Sequence, residues 1–89
     1  MNCMFEVFVA PGHESETLLS DGVINETAAA EMTEAEAQTL AEQSHLPALP
    51  PNQKGVTRKF IVCLESDLRL IANRLEGSNA CSGFQVHHL

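Results

Sequence analysis

Polar and apolar positions alternate with period two over residues 3–10. Cys3, Phe5, Val7 and Val9 fall on one face, and Met4, Glu6, Phe8 and Ala10 on the other. Met4 and Phe8 make the second face apolar as well, so this strand is expected to be covered on both sides, with Pro11-Gly12 ending it. A second strand is predicted over residues 57–64. There Phe60, Val62 and Leu64 alternate with Ile61 and Cys63, the two-sided apolarity of a central strand. A third runs over residues 83–89, with Phe84, Val86 and His88 on one face.

The period changes to that of a helix in two places. Thr33 and Glu36 form a capping box, Met32 is placed to staple onto Ala37, and Ala37, Leu40 and Ala41 make a thin buried stripe running to about Ser44. Glu34 and Glu36 occupy the first turn, where the helix dipole favours negative charge. After the central strand, Leu68, Ile71, Ala72 and Leu75 follow the i, i+3, i+4, i+7 pattern. Ser66 is predicted as the cap of this helix and Gly77 as its left-handed end.

Two segments lack a clean period. Around the Ser20-Asp21-Gly22 turn signal, residues 13–26 read as a short hairpin or as a helical turn followed by a loop. An irregular excursion is preferred, in which Leu18, Leu19, Val23 and Ile24 pack back on the domain, and residues 27–32 read as a short strand entering the first helix. Residues 45–56 hold three prolines and close on Gly55, a stiff connector. Its PxxP at 47–50 lacks a basic flanking residue, which favours a linker over an SH3-type ligand.

The 56–89 unit is strand–helix–strand, with parallel strands and a right-handed crossover. Added to the first strand and helix, it predicts an α+β two-layer sandwich: about four strands with two helices on one face, ferredoxin-like or a close variant. Such an arrangement leaves Met4, Phe8, Ile61 and Cys63 or their alternates on an open sheet face. The 13–26 excursion or a second copy of the chain is then expected to cover it, hence a homodimer.

Length makes this a single domain over residues 1–89, burying roughly 60–65% of its unfolded surface. Charge sharpens the picture. Residues 1–53 hold nine acids and no Lys or Arg, whereas 54–89 hold five bases and three acids, within a net charge of −7. That balance excludes nonspecific binding to nucleic acid or anionic lipid. The absence of Tyr and Trp removes aromatic stacking platforms. The acidic 13–45 region is either a solvated face or a surface for a protein partner. With no basic n-region, no long apolar run and three unpaired thiols, the expected location is a reducing cytoplasm.

Candidate chemistry is sparse. His87-His88 is the one tight pair of metal ligands, but neighbours on a strand point to opposite faces, so no metal site and no cofactor is expected. Cys63 reads as a core thiol, while Cys81 lies in a small polar loop at 77–83 that matches neither the GxGxxG nor the Walker A phosphate-binding pattern. Arg58, Lys59 and Arg69, with Cys81 and His87, are the residues expected to line a ligand site. The reading that results is a noncatalytic module that self-associates and binds a ligand or protein. The alternative is a small dimeric enzyme with an interface site using a histidine (His13, His87 or His88) and Cys81 or Glu6.

Overall fold

A computed structural model describes residues 2–89. The chain forms a small α+β fold with four antiparallel strands in one sheet. In order along the chain the elements are β1 (Asn2–Val9), α1 (Asp21–Glu26), β2 (Ala30–Thr33), α2 (Glu34–Gln43), β3 (Arg58–Leu64), α3 (Leu68–Glu76) and β4 (Cys81–His88). The sheet order is β2-β3-β1-β4. β1 pairs antiparallel with β3, Phe5 opposite Ile61, and with β4, Phe5 opposite Val86. β3 and β4 therefore run parallel to each other, as predicted, but with β1 between them rather than side by side. β2 pairs antiparallel with β3, Met32 opposite Phe60, and is the strand expected before the first helix.

β1 and β3 hold the centre because both of their faces are apolar, and each face has its own core. On one lie Cys3, Phe5, Val7, Ile61 and Cys63, packed by Val23 of α1, by Leu18 and Leu19, and by Ile71 and Leu75 of α3. Phe84 of β4 closes this core with its ring tilted 54° to that of Phe5, the centroids 5.5 Å apart. On the opposite face Met4 and Phe60 pack against Ala37 of α2, joined by Met32, Val62, Leu49 and Leu89.

The predicted placement of the helices is therefore corrected. α2 and α3, the two helices legible in the sequence, lie on opposite faces of the sheet. The partner of α3 on its face is α1, a six-residue helix inside the excursion that was expected to be irregular. The second sheet face is not left open for the 13–26 segment or a second chain. It is covered by α2 and by Leu49 of the connector, because Ala37 and Ala41 are small enough to let the helix settle on the sheet.

Local details follow capping chemistry closely. The Thr33 Oγ1 accepts from the Glu36 amide at 3.2 Å, and the Glu36 carboxylate accepts from the Thr33 amide at 3.4 Å, completing the box. At the other end Ser44 caps α2, His45 takes a left-handed φ of 55° and Leu46 N–H donates to the Ala41 carbonyl at 3.0 Å. This is a Schellman-type ending with histidine where glycine is favoured. The stripe on α2 is narrower than expected, since Leu40 is exposed, and Ile24 of α1 is exposed too. α3 departs from prediction at both ends. Ser66 falls inside a single 3-10 turn that leads into the helix and does not cap it. Gly77 has φ −88°, so the helix closes without a left-handed residue. β4 begins at Cys81, two residues before the predicted start. Among the described residues no helix is long and apolar enough to cross a membrane.

Candidate functional site

Buried charged side chains break the apolar α2-covered face at Arg58 of β3 and at Glu6, midway along β1 and only 3% exposed. Register explains its company. Phe60 and Gln85 lie directly opposite Glu6 on β3 and β4, so Arg58 and His87 are its diagonal neighbours on the same face. Arg58 Nη1 donates to Glu6 Oε2 at 2.9 Å and His87 Nε2 to Glu6 Oε1 at 2.9 Å. Arg58 Nη2 donates to Glu34 Oε1 at 2.8 Å, reaching the first turn of α2. Two carboxylates, one guanidinium and one imidazole thus form a continuous chain from β4 to α2.

Burial grades along this chain. The Glu6 and Arg58 side chains are each 4% exposed, whereas His87 and Glu34 reach solvent at 32% and 40%. Burial alone would lower the Arg58 pKa. Hydrogen bonds to Glu34 and then Glu6 outweigh that and hold it above its ordinary value. The guanidinium also lies over the Phe60 ring, its Cζ 5.1 Å from the centroid. One donor is left over: Arg58 Nε is buried without a hydrogen-bond partner among the described residues. An unsatisfied buried donor of this kind costs about 1–3 kcal/mol.

Two clefts flank the pair, and Pro50 and Pro51 border both. A groove of about 430 Å³ between α2 and the connector is lined by Glu34, Gln38, Glu42 and Asn52 around Arg58. A smaller cleft of about 150 Å³ lies between Glu6, Phe8, Lys54 and Gln85. The connector is held as their roof by Asn52, whose Nδ2 donates to the Val56 carbonyl at 2.7 Å while its Oδ1 accepts from the Gly55 amide at 3.2 Å. Gly55 supplies the φ of 67° that this turn requires. Lys54 is tethered nearby, its ammonium 4.3 Å from the Phe8 ring centroid.

Of the five residues expected to line a ligand site, the structure gathers two, Arg58 and His87, both on Glu6. Lys59 points to the opposite face. Its Nζ donates to the Glu16 carbonyl at 2.5 Å and lies 3.5 Å from Glu31 Oε1, while Glu31 Oε2 accepts the Leu18 amide at 2.9 Å. This cluster ties the 13–19 segment to the sheet. Arg69 is exposed on α3. Cys81 starts β4, six residues from His87 and so about 20 Å away along the strand. Its thiol donates to the Gly83 carbonyl at 3.5 Å, and burial raises its pKa. Glu34 was not among the expected site residues, and Glu6 only in the enzyme alternative. The signal for Glu6 was a lone acid in an otherwise apolar strand.

Cys3 and Cys63 sit opposite each other in the β1–β3 register with their sulfurs 3.2 Å apart, both buried. Burial, followed by the neighbouring Cys3 thiol, pushes the Cys63 pKa up to about 12. Unfolding exposes a thiol that ionises near its ordinary value of about 8.5. The stabilisation from the neutral buried thiol is thus whole below that value. It is lost as pH rises towards 12, because the unfolded state then binds fewer protons. The urea midpoint should therefore fall from pH 9 upward, and Cys63→Ala should flatten that fall. Equal slopes in the two proteins would remove Cys63 as its cause.

Among the described residues no three His, Cys, Asp or Glu side chains gather in a way that could hold a metal ion. No family model, curated protein or solved structure matches the chain.

Proposed function

We propose that this chain is a small noncatalytic module that self-associates and binds a basic protein partner on the outer surface of α2. The observation that carries this reading is how the cations are used. Arg58 is bonded to Glu6 and Glu34, and Lys59 to Glu16 and Glu31, so these two cations are committed inside the fold. The acidic 13–45 stretch is itself divided by the sheet, with α1 on one face and α2 on the other. On α2, Glu36 lies one turn before the exposed Leu40 on the same side, an apolar contact beside an acid, and Glu42 lines the neighbouring groove with Glu34. A small anionic ligand, which would need Arg58, Lys59 and Arg69 together, is less well served.

The fold reading that goes with this is a ferredoxin-like frame. Two β-α-β units, β1-α1-β2 and β3-α3-β4, interlock in the order β4-β1-β3-β2 with α1 and α3 on one face. That supports a two-layer sandwich, to which α2 and the connector are an insertion. Three free thiols suit a reducing cytoplasm.

The test is titration of an oligolysine peptide, with an oligoglutamate peptide as control, at low and high ionic strength. Oligolysine should bind in a salt-sensitive manner and Glu42→Lys should weaken it on the order of tenfold. Glu26→Lys, on the opposite face, should change it little. Equal losses for the two variants would reduce the effect to net charge and end the reading.

The enzyme alternative retains one favourable observation, the contact between His87 and Glu6, a base held by a carboxylate. Against it, both Glu6 oxygens are occupied, and Cys81, the thiol expected to act with a histidine, stands about 20 Å away along the strand. Hydrolysis of an activated ester above the buffer rate, removed by His87→Ala in a folded protein, would turn the reading to catalysis.

A further inference from the structure

We infer that the outer edge of β4 is where two copies of this chain meet, β4 against β4 in antiparallel pairing, giving one continuous eight-stranded sheet. The inference rests on the self-association proposed above and names its surface. β4 pairs with β1 on one side, and among the described residues no strand pairs with its other side.

The direction of each backbone group along β4 follows from two hydrogen bonds. Leu89 N–H donates to the Asn2 carbonyl at 3.1 Å, and Val9 N–H donates to the Thr57 carbonyl at 2.8 Å. Antiparallel ladders alternate, so even-numbered residues of β1 bond towards β4 and odd-numbered ones towards β3. On β4, therefore, Gly83, Gln85, His87 and Leu89 turn their amides to β1. Phe84, Val86 and His88 turn theirs outward. The register shift opposite Phe8 and Val9 confines this regular edge to the stretch from Gly83 onward.

Edges of this length are usually guarded by lysine, by inward-pointing charge, by proline or by a covering segment. Cys81–His88 contains no Asp, Glu, Lys, Arg or Pro. The other edge, β2, has four residues and carries Glu31.

The occupant is identified as a second copy by charge and by side chains. A chain of net charge −7 repels its own kind, but β4 carries no acid and lies at the sheet edge away from β2 of the acidic stretch, so copies that meet at β4 keep those acidic strands apart. Two-fold antiparallel pairing also sets the outward-facing residues of one strand against the same set on the other. With the two-fold axis at Gln85, half-buried Phe84 of each copy lies opposite Val86 of the other on the face covered by α1 and α3, where aromatic–β-branched cross-strand pairs are favourable.

The experiment combines the solution mass of the full chain with residue-resolved amide hydrogen exchange, at high concentration and after dilution. The expected result is a mass twice the 9.7 kDa of one chain. The Phe84 and Val86 amides should also exchange on the order of a hundredfold more slowly in the concentrated sample than in the diluted one. A dimer in which those amides exchange freely, or in which Ala30–Thr33 is protected instead, overturns this interface and leaves self-association standing. A chain that stays at 9.7 kDa at the highest concentration removes both.

Discussion

Glu6→Ala is expected to lower the unfolding free energy by about 3–5 kcal/mol, the usual result of stripping one partner from a buried ion pair. Glu6 and Arg58 are each 4% exposed, so the guanidinium left behind can neither reach water freely nor be neutralised. Glu34 would still hold one end of it, while His87 would lose its acceptor altogether. For a domain of this size each kcal/mol moves the melting temperature by about 4–8 °C, so the variant should melt far below the parent. With no Trp or Tyr in the chain, far-UV circular dichroism in urea is the appropriate readout. The informative comparison is the double variant Glu6→Leu/Arg58→Met, in which both charges leave together. It should recover most of the loss, since a buried ion pair contributes little net stability over apolar side chains of similar volume. A Glu6→Ala loss below about 1 kcal/mol would mean that the pair is hydrated and that the buried chain from His87 to Glu34 does not describe the protein.

Phe60→Ala should cost about 3–5 kcal/mol by a different route, loss of buried area together with the cavity left behind. Phe60 is fully buried on the α2-covered face, against Met4 and Ala37. It is also the ring beneath the Arg58 guanidinium. On the α2 side of this core Ala37 and Ala41 are small, so the helix offers little to collapse into the gap. The loss should be uneven. Amide exchange is expected to quicken in α2 and in residues 46–56 before it does in α3, which rests on the other core around Phe5 and Ile71. Uniform quickening in all helices would show the two cores to be one cooperative unit.

The two expectations bear on how far the chain could be read without its structure. Strands β1, β3 and β4 were legible because their apolar positions alternate in residues that fit a pleated surface. The start of α2 was legible because a capping box is a local hydrogen-bond pattern that needs no distant partner. Helix α1 was not. Its six residues are too few to show a period, and Ser20, which accepts the Val23 amide at 3.4 Å, looked like part of a turn. Ser66 and Gly77 failed for the converse reason. Both are residues that suit helix ends, but α3 begins after a 3-10 turn and closes with ordinary φ, which composition does not reveal.

The site divides in the same way. Arg58 and His87 were among the residues expected to line a ligand site, and the structure places both on Glu6. Lys59 is next to Arg58 in sequence and for that reason on the opposite face, since side chains alternate along a strand. Cys81 and His87 share a strand but stand at its two ends. Glu34 was read as helix N-terminal charge, which it also is. Its contact with Arg58 depends on which sheet face α2 covers.

The sequence by itself determined what is local in this protein: which segments alternate, where α2 is capped, that β1 and β3 are covered on both sides, and that the acids crowd the first part of the chain. Each of these follows from interactions spanning a few residues or from composition alone. Only the tertiary structure decided that α2 crosses to the face opposite α1 and α3, and that a Pro-rich connector, not a second chain, completes that face. It alone also joined Glu6 to partners 52 and 81 residues away. The physical reason is that these outcomes are set by the register of β1 against β3 and β4. Register is a choice among long-range pairings, resolved by the packing of both faces at once and not written in the period of any one strand.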